Sequence, residues 1–209
     1  MAQKFRAARS DEERQARLQS ILSAALDAFA EKGLGASRLE DIATRAAIAK
    51  GTIYLYFPSK QAVFEELIRT SIVLPVDSLR TELLAQDLTA QTVFGLLSHW
   101  VRNEFLGTDR EIIARLILSE VGRFPEIAAF CHRELVHPVM EFLKQIAQRA
   151  CERGEFGSDV LVRFPQLAVA SVLVAITWND LFQNVEPLDL GAMIESHLDL
   201  LQRAMRSDI

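Results

Sequence analysis

Cysteine is scarce in this 209-residue chain: Cys131 and Cys151 are too few for a disulfide framework and lack the paired CxxC spacing of a structural zinc site. Long apolar runs are missing as well. The longest, LAVASVLVAITW at 167 to 178, gives way to Asn179 and Asp180, short of the roughly 20 residues a membrane span requires. The N-terminal MAQKFRAARSDEERQ carries basic residues with no apolar stretch behind them, so neither a signal peptide nor an anchor is expected. A soluble protein of the reducing cytoplasm fits these shortages, with no membrane partner. Catalytic signatures are absent too: there is no GxSxG, phosphate-cradling glycine loop, HExxH or carboxylate pair on one helical face, so neither an enzyme nor a cofactor is expected. Cys131, His132 and His137 invite a metal, but adjacent residues diverge by about 100° on a helix and Pro138 intervenes, so no metal site is expected.

What is present is helical period and an uneven charge. The net charge is −5, yet residues 1–80 carry 12 Lys/Arg against 10 Asp/Glu while residues 81–209 carry 11 against 18. A mildly basic first part therefore precedes a strongly acidic second part, and two functional units follow. Leu18, Ile21, Leu22, Ala25 and Phe29 form one stripe, with Ser10 and Glu13 as a capping box and Gly33 as the stop. Ser37 with Glu40 makes a second box, opening a short helix through Ala46 with Leu39, Ile42 and Ala43 inward. Ser59 is placed to cap a helix carrying Ala62, Val63, Leu67 and Ile68, which Pro75 should kink or end. Longer helices are expected near 90–106, 109–123, 126–153 with a break at His137-Pro138, 162–184 and 188–205. With no hairpin signal anywhere, the fold class is all-α.

GTIYLYF, residues 51 to 57, is the exception, because it alternates like a strand and holds both tyrosines of the chain. An isolated strand would leave its backbone groups unpaired, so helix is favoured, with Ile53 and Phe57 inward. A helix over 39–46, a four-residue connection and a short helix over about 50–57 have helix-turn-helix spacing.

At this point the chain resembles the TetR family of bacterial transcriptional regulators. The resemblance rests on GLGASRLEDIATRAAIAKGTIYLYFPSKQAVFEEL, residues 33 to 67, and extends by helix order over the rest. It implies an N-terminal three-helix domain with a helix-turn-helix (residues 1–58), a connecting helix (59–84) and a larger C-terminal helical ligand-binding and dimerisation domain (85–209). It further implies that Ser37 and Arg38 meet backbone phosphate, that Lys50, Gly51 and Thr52 approach bases and phosphates, that Tyr54 and Tyr56 bond phosphates, and that Lys60 sits on a phosphate. Physical reasoning agrees, since helix N-termini attract phosphate and an N-terminal end in the major groove can read bases. Three positions depart from the family pattern: Ala47 replaces a turn glycine, Ala49 replaces a capping serine, and Leu55 replaces an aromatic, where it can meet a thymine methyl.

The resemblance also implies double-stranded operator DNA and a homodimer as partners, with a small effector in the C-terminal domain. For that pocket the sequence offers Phe94, Leu97, Trp100, Phe105, Leu116, Phe124, Trp178 and Phe182 as an apolar and aromatic lining, joined by Ile113, with Glu104, Arg115, Glu120, His132 and Asn179 as polar contacts. The expected function is a ligand-responsive repressor on a palindromic operator. The alternative is a DNA-associated structural or protein-interaction factor without an inducer.

Overall fold

The computed structural model describes residues 2–205, and among them there is no strand. The helices are α1 (Ala2–Ala36), α2 (Leu39–Arg45), α3 (Lys50–Ile53), α4 (Lys60–Ile68), α5 (Leu74–Leu84), α6 (Ala90–Trp100), α7 (Asp109–Glu120), α8 (Pro125–Cys131), α9 (His137–Glu152), α10 (Val160–Arg163), α11 (Ala170–Phe182) and α12 (Leu190–Met205). They divide into two compact units. The first takes in the chain to Thr70 together with Leu116–Ile127; the second is Ser71–Arg115 with Ala128–Ile209. Segment 116–127, expected within the C-terminal domain, thus belongs to the first unit, and the first unit runs past residue 58 through α4.

In the first unit, α1 packs on α2 and α4 around Ile21, Leu22, Ala25, Phe29, Ile42, Val63 and Phe64, all buried. Phe29 meets Phe64 edge to face, with ring centroids 5.4 Å apart, an arrangement aromatic quadrupoles favour. Helix α1 begins well before the expected capping box, so Ser10 lies within the helix rather than at its start. Its regular course breaks at Gly33, whose φ of 73° and ψ of 165° belong to a region open essentially to glycine alone. The Ser59 cap is present: its hydroxyl accepts from the Ala62 N–H at 3.2 Å.

In the second unit, α6 and α9 carry the core: Val93, Phe94, Phe142, Leu143, Ile146, Ala147 and Ala150 cluster with Leu83, Phe156, Leu161 and Met205. Of the two outcomes expected at Pro75, a kink or an end, the structure shows the former, and the expected break at His137-Pro138 takes the same form. One π-helical turn (Arg69–Val73) precedes Pro75 and another (His132–Val136) precedes Pro138, so each wider turn receives a proline without stopping the chain's helical course. Pro75 has no N–H to offer the Ser71 carbonyl four residues back, and that oxygen accepts instead from Arg110 Nε at 2.9 Å. A third π-turn, Val101–Phe105, extends α6. Pro165 does interrupt: the expected helix 162–184 is split into α10, a 3-10 turn (Pro165–Ala168) and α11.

Candidate nucleic-acid interface and ligand cavity

The turn between α2 and α3 is built without glycine. Ile48 N–H donates to the Ala43 carbonyl at 3.0 Å and Ala47 N–H to that of Thr44 at 3.2 Å, the paired bonds of a Schellman cap. That cap demands a left-handed residue after the helix, and Ala47 supplies it at φ 52°, against the preference of any side chain bearing a Cβ. Helix α3 then starts after Ala49, which offers it no side-chain cap. It is one turn long. Tyr56 and Phe57 N–H groups both reach back to the Ile53 carbonyl, so the coil tightens beyond Ile53 rather than continuing as α-helix to residue 57. Ile53 and Phe57 point inward as expected, both buried.

The opposite side of this turn is open. Lys50, Gly51, Tyr54 and Leu55 are exposed, Leu55 to 84%, and Thr52 is half-buried. A Cβ placed on Gly51 would meet nothing within 4 Å, so the protein itself leaves that position clear. Arg38, exposed, precedes α2. From α1, Arg17 and Ser20 share a surface depression with Ile48, Ala49 and Thr52, while Arg14 and Gln15 share another with Tyr56. Tyr56 is half-buried there rather than on the open face with Tyr54.

One carboxylate, expected only to complete a capping box, organises this face. Glu40 Oε1 accepts from Tyr54 Oη at 2.9 Å and lies 3.1 Å from Lys50 Nζ. Its own backbone N–H at the helix start, then Lys50 and Tyr54, hold its carboxyl down to a pKa of about 2. Tyr54 is shifted the other way, its phenol raised by the hydrogen bond to Glu40. Two groups expected to meet phosphate are therefore already gathered on one anion. The signal for Glu40 lay in its place on the outward face of α2, but only the fold shows that α3 brings Lys50 and Tyr54 over it.

Two expected phosphate contacts are placed differently. Ser37 is 2% exposed, and its hydroxyl donates to the Gly33 carbonyl at 2.7 Å and to that of Ala28 at 3.2 Å. It closes the end of α1 instead of capping α2, whose first position is preceded by Arg38 with no side-chain cap. The same helix end holds Lys60: its ammonium donates to the carbonyls of Gly35 at 2.6 Å and Ser37 at 3.0 Å. A cation at unsatisfied C-terminal carbonyls is electrostatically favoured, so Lys60 serves the chain's own backbone here.

Glu120 also moves from its expected place. It is 3% exposed in the first unit, where Oε1 accepts from the Leu34 N–H at 3.0 Å just beyond the Gly33 break. Leu116 and Phe124 belong to the same unit.

The cavity of the second unit encloses about 150 Å³ and is lined by Phe94, Leu97, Trp100, Phe142, Val172 and Leu198, with Arg80, Ser98 and Ser171 among the polar residues. Phe94, Leu97 and Trp100 thus adjoin it as the sequence suggested. Several other candidates lie elsewhere. Phe105 is buried with its ring 6.3 Å from Trp100. Glu104 is exposed beside Arg110 at 3.5 Å. His132 stacks on His137, ring centroids 6.1 Å apart, on the surface. Trp178 donates to the Glu186 carbonyl at 2.9 Å and packs on Phe182, and Asn179 accepts from the Leu188 N–H at 3.3 Å, so this trio builds the α11–α12 connection. Arg115 and Ile113 lie on α7 outside the lining, Ile113 fully buried. Arg80 and Ser171 carried no signal in the sequence: one is an arginine at i+3 from Asp77, with which it pairs in the structure, and the other is a small residue in an apolar run.

Comparison with known proteins agrees with this architecture. Residues 21–67 match the family model described as bacterial regulatory proteins, tetR family. Over 54 residues the chain is 44% identical to the HTH-type transcriptional regulator RutR of Escherichia coli K12, covering 26% of each chain, so it spans about a quarter of that relative's length. Among solved structures it is similar to the SmeT–triclosan complex, SmeT being the repressor of the Stenotrophomonas maltophilia efflux pump SmeDEF, with a TM-score of 0.75 at 19% identity over 92% of this chain and 93% of that one. It is also similar to the transcriptional regulator FadR of Bacillus subtilis in complex with stearoyl-CoA, with a TM-score of 0.69 at 26% identity over 90% and 99%. Its helix-turn-helix segment thus matches the tetR family of bacterial regulatory proteins, and its all-helical fold is similar to that of these solved regulators.

Proposed function

We propose that the protein is a ligand-responsive transcriptional repressor that binds a palindromic operator as a homodimer. The observation that carries this reading is the open face at the start of α3, where Lys50, Gly51, Thr52 and Tyr54 project beside a position that a Cβ would not fill. Such a face can enter the major groove, Lys50 and Thr52 against bases and Tyr54 and Arg38 against phosphates. Ser37 and Lys60 act at one remove, by fixing the end of α1. Binding would require Lys50 and Tyr54 to leave Glu40 for phosphate or base.

Support for a dimer comes from exposed apolar side chains, Leu173, Val174 and Leu181 on one stripe of α11, with Phe182 nearby and Leu200 on α12. A contiguous apolar stripe is ordinarily covered by a partner. Support for an effector comes from the cavity of the second unit and from the ligands named with SmeT and FadR, triclosan and stearoyl-CoA. Effector and operator should weaken each other by the same factor, as linkage demands. A cytoplasmic location suits this role, and no described helix is long and apolar enough to cross a membrane.

The test is operator binding by fluorescence anisotropy, with the operator first mapped on genomic DNA. Lys50→Ala should weaken binding about tenfold and reduce the salt slope by about one. Gly51→Ala should weaken binding while leaving the folded state as stable or slightly more so, since alanine is the better helix former. Unchanged affinity in both variants would sink this reading of α3.

A further inference from the structure

Leu55 stands outside the packing that holds the first unit together. It is 84% exposed, and no large apolar side chain described in that unit is more so. At about 100° per residue, Lys50 and Tyr54 fall on one flank of the turn and Thr52 and Tyr56 on the other. Gly51 and Leu55 lie between these flanks, opposite the buried Ile53 and Phe57. The crest of this turn is thus a glycine followed four residues later by a leucine. A Cβ on Gly51 would meet no atom within 4 Å, so Leu55 does not fold back over the glycine, and its side chain stays in water.

A turn that enters a major groove crest first sets this leucine against base edges. Leucine neither donates nor accepts a hydrogen bond, so it can hold no phosphate and pair with no polar edge atom. Among the four bases only thymine presents an apolar group in that groove, its C5-methyl. Apolar surface buried against that methyl is favourable, whereas covering a polar edge without bonding it is costly. We propose that Leu55 is a specificity-determining residue that reads the C5-methyl of one thymine in each operator half-site. The inference rests on α3 entering the major groove, and it adds to that reading a base and the group recognised on it.

The test is anisotropy titration of the full-length protein with the mapped operator, each thymine replaced in turn by deoxyuridine, which removes the methyl and keeps the base pair. One thymine in each half-site should lose about fourfold in affinity, the worth of one buried methyl. Leu55→Ala should weaken binding to the unmodified operator at least as much and become indifferent to deoxyuridine at that position. Its salt slope should stay at the wild-type value, since no phosphate contact is lost. Leu55→Met, apolar and of similar volume, should keep the discrimination. Circular dichroism should show the helical fold intact in both variants. A silent deoxyuridine scan, a scan unchanged by Leu55→Ala, or a lowered salt slope in that variant overturns the proposal. If Lys50→Ala and Gly51→Ala still weaken binding in that event, the groove reading stands and only the role of Leu55 falls. If those two variants are silent as well, α3 does not read DNA and the proposal falls with it.

Discussion

Glu40 and Glu120 are two carboxylates of the same compact unit, each accepting a hydrogen bond through Oε1, and their surroundings differ in water. Around Glu40 solvent reaches every partner: the Lys50 side chain is 70% exposed, and the bonds compete with water. Such contacts contribute little to stability and are exchanged easily. Glu120 is enclosed. Its Oε1 holds the Leu34 N–H, its Oε2 makes no hydrogen bond, and Arg123 Nη1 lies 3.9 Å away. A buried group of this kind cannot trade partners without loss. The first arrangement suits a surface that must release its cations to a phosphate; the second suits a hinge point that must not move.

The largest effect should therefore fall beside Glu120. Gly33→Ala forces a Cβ into a conformation essentially reserved for glycine and to 2.9 Å from Glu120 Oε1, which the Leu34 bond holds in place. A loss of about 2–3 kcal/mol is expected from urea unfolding, near the upper end of such backbone strain. A loss below about 0.5 kcal/mol would mean that the carboxylate gives way freely, and the contrast with Glu40 would fail.

Next comes the carboxylate itself. Glu120→Ala removes the carboxylate that accepts from the Leu34 N–H and should cost about 1–3 kcal/mol. Glu120→Gln keeps an oxygen for that N–H and removes a buried charge, so less than half the alanine loss is expected. Equal losses in the two variants would show that charge, not the hydrogen bond, holds the helix end.

At Glu40 the same substitution should cost far less stability than at Glu120, because its partners are solvent-exposed, and should act chiefly on DNA. Glu40→Gln frees Lys50 and Tyr54 and removes an anion from the face presented to phosphate, so operator affinity should rise about twofold to fivefold, more at low salt. The pH dependence follows from its depressed pKa. The stabilisation is complete above the unfolded value near 4.5 and is lost as pH falls through about 2. Carboxyl carbon shifts of Glu40 should accordingly titrate near 2, and Lys50→Ala should move that midpoint upward.

These residues also mark how far the sequence could be read. Helix-turn-helix spacing, the inward Ile53 and Phe57, and the Ser59 cap followed from local period and capping chemistry, which depend on neighbours a few residues away. Ser37 was read as the cap of α2 because S-x-x-E is a capping pattern, yet a serine hydroxyl can equally donate to a carbonyl four residues back, and Gly33 offers one. Lys60 and Glu120 depend on partners 25 and 86 positions away, which no local rule reaches. In the second unit, Phe94, Leu97 and Trp100 reach the cavity because apolar period places one face of α6 there, whereas Arg80 and Ser171 became visible only once burial and hydrogen bonding could be counted together.

The smallest effect lies at Ala47, which separates strain in the turn from chemistry on the reading face. The Schellman cap fixes this residue in the left-handed region, where a Cβ costs about 1–2 kcal/mol. Glycine relieves that cost but makes the unfolded chain freer by about 0.4–1 kcal/mol. Ala47→Gly should therefore stabilise the protein by a net amount on the order of 0.5 kcal/mol in urea unfolding, with operator affinity and the Glu40 titration unchanged, since Lys50 and Tyr54 keep their partner. A gain in stability accompanied by a change in operator affinity would instead mean that strain at Ala47 sets the angle of α3, and that the turn and the reading face are one device.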